Sequence, residues 1–137
     1  QRLTEYNNIK GIEDCYNASP YSMHAAIQVI RQMECSGKRI AVLGDMFELG
    51  EHSAQMHRQI GAVVAEAGID ILICCGSEAK IMADSVKRAG MRQALHFETK
   101  DQAAEALKEA AKPGDAVIIK ASRGMKLEEL VGLVFHK

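Results

Sequence analysis

Short apolar runs separated by longer segments of helical period limit the fold of this chain more than any other property. The runs are Ile9–Cys15, Arg39–Gly44, Ile69–Cys75, Gln93–Phe97 and Asp115–Ala121, and the helical segments are Ser22–Glu34, Ser53–Ala67, Glu78–Ala89, Asp101–Ala111 and Leu127–Phe135. Strands separated by helices cannot pair through tight turns, so they assemble most simply as a parallel sheet with right-handed crossovers. The expected fold class is therefore α/β: a doubly wound, mostly parallel Rossmann-like sheet with helices on both faces, in a single domain. Ser53 and Asp101 are suitable N-caps, Gly68 and Gly90 sit where left-handed C-terminal stops belong, and Pro113-Gly114 ends the fourth helix. Residues 1–8, polar and without a period, read as an incoming linker or a variable hairpin, and residues 9–137 as the domain.

Composition removes several classes of function. The 137 residues are 47% hydrophobic and 26% charged, which disfavours a disordered tail, a collagen and a coiled coil. Seventeen Lys and Arg against eighteen Asp and Glu leave a net charge of -1, giving no global attraction for nucleic acid or an anionic membrane. Aromatics are 4% with no Trp, so a stacking platform for bases is lacking. Cys15, Cys35, Cys74 and Cys75 have no C-x-x-C spacing, against a zinc framework, and read as reduced thiols in the cytoplasm. No run approaches the roughly 18 consecutive apolar residues of a membrane span, and the N-terminus lacks a signal-peptide core. The chain opens on Gln rather than Met, as a piece of a longer protein does.

In doubly wound sheets ligands collect beyond the carboxyl ends of the strands, and three such segments carry chemistry. In Glu13-Asp14-Cys15-Tyr16-Asn17-Ala18-Ser19-Pro20, Asp14 and Asn17 are suited to ligand hydroxyls and amides, whereas capping of the first helix explains Ser19 and Pro20. Gly44-Asp45-Met46-Phe47-Glu48-Leu49-Gly50-Glu51 packs apolar members and presents acids. Lys120-Ala121-Ser122-Arg123-Gly124-Met125-Lys126 puts cations at the mouth of the sheet, with Arg123 able to grip a carboxylate or phosphate in two places. Lys120 ends an apolar strand; Lys126 alone reads as a solvated residue before a helix. Neither G-x-G-x-x-G nor G-x-x-x-x-G-K-[ST] occurs, so the chain has no phosphate cradle of its own. His52 and His57 are five apart, whereas a helical metal pair wants three or four, and no metal ligand is assigned.

The order of these strings is more specific than any one of them. D-C-Y-N-A-S-P, then I-A-V-L-G-D-M-F-E-L-G-E, then His57, then P-G-D-A-V-I-I-K-A-S-R-G-M-K-L-E, resembles the C-terminal domain of the Mur ligase superfamily from Arg2 to the last helix. Within it the strings are most similar to those of the dipeptide-adding member, with Ser19 and Ala121 in place of the commoner Asn and Gly. The resemblance implies ATP- and Mg²⁺-dependent joining of D-Ala-D-Ala to UDP-N-acetylmuramoyl-tripeptide through an acyl phosphate. ATP and Mg²⁺ would then be bound mainly by a central ATPase domain, which together with an N-terminal domain lies elsewhere in the same chain, and this fragment alone would be inactive. By position the resemblance assigns Arg2 and Asp14 to ATP, and Asn17, Asp45, Lys120, Ser122 and Arg123 to the D-Ala-D-Ala side.

Two rival classes are a phosphoacceptor receiver domain and a non-catalytic nucleotide- or protein-binding module. A receiver shares the acidic pair after the first strand and a Lys after the last, matching Glu13-Asp14, Asp45 and Lys120 in outline. Its acceptor Asp follows the third strand, however, whereas Asp45 follows the second of the predicted strands, and Lys120 is not followed by Pro.

Overall fold

The computed structural model describes residues 2–6, 9–14 and 19–120, with the backbone alone for 2–6 and 12–14. Asn17, Ser122, Arg123 and the expected helix Leu127–Phe135 lie outside the described residues. The elements are β1 (Arg2–Tyr6), β2 (Ile9–Asp14), α1 (Pro20–Gln32), β3 (Arg39–Gly44), a short 3₁₀ turn (Gly50–His52), α2 (Ser53–Glu66), β4 (Ile71–Cys75), α3 (Lys80–Arg88), β5 (Ala94–Phe97), α4 (Lys100–Ala110) and β6 (Ala116–Lys120). The strands form one sheet in the order β1-β2-β6-β3-β4-β5. Strands β2 to β6 are mutually parallel and β1 is antiparallel to β2, so the α/β class expected from the alternation is the observed one.

The helices divide between the faces as the alternating strand positions require. Ala41, Leu43, Leu72, Cys74 and Ile118 turn to a layer with Met23, Ile27 and Ile30 of α1, Ile60 and Val64 of α2, and Met82 and Val86 of α3. Ile40, Val42, Ile73, Cys75, Val117 and Ile119 turn to the opposite face and pack with Ala103, Ala104 and Leu107 of α4. Because β3, β4 and β6 have both faces covered, they are apolar almost without interruption.

Element ends show where local chemistry sufficed and where it did not. Ser19 caps α1, taking Ser22 N–H at 3.1 Å, with Pro20 in the first turn. Gly68 and Gly90 adopt φ of 74° and 100°, as the stops after α2 and α3. Two caps are corrected. The cap of α4 is Thr99, in a reciprocal box with Gln102, and Asp101 lies inside the helix; Ser53 is the first residue of α2 and the cap position is His52, which makes no side-chain cap bond. The fourth strand begins at Ile71 rather than Ile69, since Asp70 is occupied by Arg39: its N–H donates to the Arg39 carbonyl and its carboxylate accepts the Arg39 N–H.

Candidate functional site at the carboxyl edge

Parallel register brings the strand ends together. Asp14 is paired with Lys120, Lys120 with Leu43, and Gly44 with Cys75, so the carboxyl ends of β2, β6, β3 and β4 share one edge. Of the expected ligand residues, Asp14, Asp45 and Lys120 meet there; the Asp14 backbone closes β2 and Lys120 closes β6. Arg2 is paired with Glu13 at the start of β1, which places its backbone beside the same end of β2. Lys120 is 1% exposed and is not without a partner.

Asp45 has a structural task that its sequence position conceals. Its carboxylate is 5% exposed and Oδ1 accepts the Ala79 N–H at 2.6 Å, just ahead of α3, with the Glu78 N–H also bonded to it. The start of α3 is thus capped from a loop 34 residues away, which explains why that helix begins at Lys80 and not at Glu78. Gly76 makes this possible: at φ 117° its Cα lies under the carboxylate, and a Cβ there would come within 2.5 Å of Oδ1. The Gly76 carbonyl accepts from His96 Nε2 at 2.7 Å and its N–H donates to the Phe97 carbonyl at 3.0 Å. Burial pushes the Asp45 carboxyl above its ordinary 3.8; the N–H groups of Ala79 and Glu78 oppose the rise, and the Glu78 carboxylate adds to it.

The loop between β3 and α2 is pinned from several sides. Met46 is 1% exposed, in the same core cluster as α1 and α2, while Phe47, Glu48 and Glu51 face solvent. Glu48 has φ 64°, in the left-handed region that side chains with a Cβ rarely adopt. Beneath the loop, Met46 N–H donates to His57 Nε2 at 3.1 Å, His57 Nδ1 lies 2.8 Å from the Ser53 carbonyl, and Ser53 Oγ donates to Glu78 Oε1 at 2.6 Å. His57, weighed from its sequence only as a metal ligand, is therefore a fully buried hydrogen-bonding residue, and the Ser53–His57 spacing of one helical turn was the available signal.

The two buried thiols are not poised for nucleophilic attack. Burial pushes the thiols of Cys74 and Cys75 up, so neither is an activated nucleophile. Among the described residues no group of three or more His, Cys, Asp or Glu is placed to hold a metal ion, so no donor set for Mg²⁺ is assigned to them. What the edge offers is a buried Lys side chain, a buried carboxylate on a helix start and a pinned acidic loop.

The family described as Mur ligase, glutamate ligase domain, matches residues 1–123. The chain belongs to the Mur ligase family. Among its curated relatives is the UDP-N-acetylmuramoyl-tripeptide–D-alanyl-D-alanine ligase of Bacillus subtilis, 43% identical over 121 residues, which cover 88% of this chain and 26% of that protein. The ligase of the same name from Escherichia coli is 34% identical over 122 residues, 88% of this chain and 25% of that protein. A crystal structure of MurF from Acinetobacter baumannii superposes with a TM-score of 0.87 at 29% identity, covering 99% of this chain and 30% of that one. MurF from Thermotoga maritima, crystallised in complex with ADP, superposes with a TM-score of 0.79 at 26% identity over 96% of this chain and 29% of that one. This Mur ligase domain thus spans about a quarter to three-tenths of the length of these relatives. Among its described residues, no helix is long and apolar enough to cross a membrane.

Proposed function

We propose that this chain is the C-terminal domain of a cytoplasmic ligase that joins D-Ala-D-Ala to UDP-N-acetylmuramoyl-tripeptide in the synthesis of peptidoglycan precursors. The observation that carries the reading is the 43% identity to the Bacillus ligase over 121 residues, 88% of this chain. ATP, bound with Mg²⁺ mainly by a central domain elsewhere in the full-length protein, supplies the phosphoryl group that turns the tripeptide carboxylate into an acyl phosphate. The dipeptide amine then attacks the acyl carbon and phosphate leaves.

This domain's task is orientation. Lys120, with Asn17, Ser122 and Arg123, meets the carboxylate side of the dipeptide, because cations and amide donors complement an anion and leave the amine free to point outward. Asp45 borders the same cleft through the loop it anchors. Asp14 and Arg2, at the outer side of the edge, meet the nucleotide. Tyr21 in the first turn of α1 and Phe47 in the loop are exposed at this edge, which suits burial against the N-terminal or central domain as the site closes and water is excluded.

The test is phosphate release. The full-length protein, supplied with ATP, Mg²⁺ and UDP-N-acetylmuramoyl-tripeptide, releases phosphate only when D-Ala-D-Ala is added, and the 137-residue chain alone releases none. Release indifferent to the dipeptide overturns the reading, and labelling of Asp45 by acetyl phosphate favours the receiver instead.

A further inference from the structure

We propose that His57 is a positioning residue of the carboxyl edge: held as its Nδ1–H tautomer, it ties the two ends of the loop at residues 45–52 and sets the form that loop presents to the amine-bearing substrate. The role in ligation rests on the function proposed above; the tie itself does not.

The proton on the ring is located by its partners. A backbone carbonyl only accepts, so Nδ1, 2.8 Å from the Ser53 carbonyl, carries the hydrogen; a backbone N–H only donates, so Nε2, 3.1 Å from Met46 N, is bare. One buried ring therefore bonds the residue just ahead of the exposed part of the loop and the residue that begins α2. Ser53 Oγ extends the tie to Glu78, whose own N–H is bonded to Asp45, so the loop, α2 and the start of α3 close into one ring of contacts. The loop needs such a tie, since it holds a left-handed Glu48 and a left-handed Gly50 between its ends, a conformation that persists only when its surroundings over-determine it. An apolar side chain would fill the volume of His57 but would leave the buried Met46 N–H without an acceptor.

The experiment compares His57→Leu, which fills space without accepting, with His57→Gln, whose carbonyl reaches about the place of Nε2. In the 137-residue chain, ring ¹⁵N shifts report Nδ1–H for His57. Losing the acceptor speeds hydrogen exchange of the Met46 amide about tenfold in His57→Leu, with Val42 and Leu43 of β3 unchanged, while His57→Gln stays near wild type. In the full-length ligase, His57→Leu raises KM for D-Ala-D-Ala about fivefold or more with kcat and the KM for ATP nearly unchanged, and His57→Gln restores it. An Nε2–H tautomer, or unchanged Met46 exchange in folded His57→Leu, overturns the tie. Should His57→Leu not fold, the tautomer of the wild type decides. Faster exchange with an unchanged dipeptide KM overturns the positioning role, and a wild-type enzyme that ignores the dipeptide removes the functional reading while the tie stands.

Discussion

Asp45 and Asp115 stand at opposite edges of the sheet, both buried and both accepting N–H groups from neighbouring turns, yet their carboxyls are displaced in opposite directions. Burial would raise both. At Asp115 it is outweighed by the N–H groups of Lys38 (2.7 Å) and Lys112 (2.9 Å) and by the Lys38 ammonium at 3.0 Å, which together hold the carboxyl below 3.8. Asp45 accepts two N–H groups but has no ion pair among the described residues, and burial prevails. The amino edge is thus a satisfied structural clamp, while the carboxyl edge keeps a carboxylate whose ionised form the fold does not fully compensate.

The sharpest way to break the comparison is to remove the clamp. Asp115→Ala strands two N–H groups and a cation partner and is expected to cost about 2–4 kcal/mol in urea unfolding at pH 7. The pH dependence has a defined sign. A carboxyl lowered on folding contributes stability that is present above 3.8 and is lost as pH falls through its folded value, so the acid loss of stability is smaller in Asp115→Asn than in wild type. Next in size, Gly76→Ala forces a Cβ into the Asp45 carboxylate at a left-handed φ and costs about 2 kcal/mol, with loss of exchange protection at Ala79. Asp45→Asn keeps an acceptor and discards the buried charge, so stability at pH 7 changes by less than about 1 kcal/mol. Since Asp45 is raised on folding, its contribution is largest below 3.8 and is lost as pH rises through the folded value; that decline disappears in Asp45→Asn. The smallest effect is that of Lys38→Met, whose ammonium is 40% exposed and screened, at about 0.5 kcal/mol.

What could be read from the sequence follows the range of the interaction. Strand β3 has the predicted limits, Arg39–Gly44, because a run buried on both faces is written in consecutive apolar residues. The edge strand β1, paired only with β2, has no such run: R-L-T-E-Y has Thr4 and Glu5 side by side and neither a continuous apolar run nor a strict alternation. The Thr99-Gln102 box was local and legible but lay two residues ahead of the predicted cap. The cap of α3 was not legible at all, since Asp45 reaches it from the far side of α2. For the candidate site, the convergence of Asp14, Asp45 and Lys120 at one edge followed from placing each at a strand end, whereas the Ser53–His57–Glu78 chain depends on how α2 packs on α3. Assignment of those residues to ligands came from family resemblance alone.

The division of labour between the two edges is tested most directly by one pair of variants in the full-length ligase, Asp45→Asn and Asp115→Asn, each measured for unfolding midpoint and for D-Ala-D-Ala-dependent phosphate release. Asp45→Asn is expected to lose about tenfold or more in kcat/KM for the dipeptide at an unchanged midpoint, and Asp115→Asn to lose midpoint while its folded fraction works as wild type does. Loss of activity confined to Asp115→Asn, with Asp45→Asn fully active, would contradict the account.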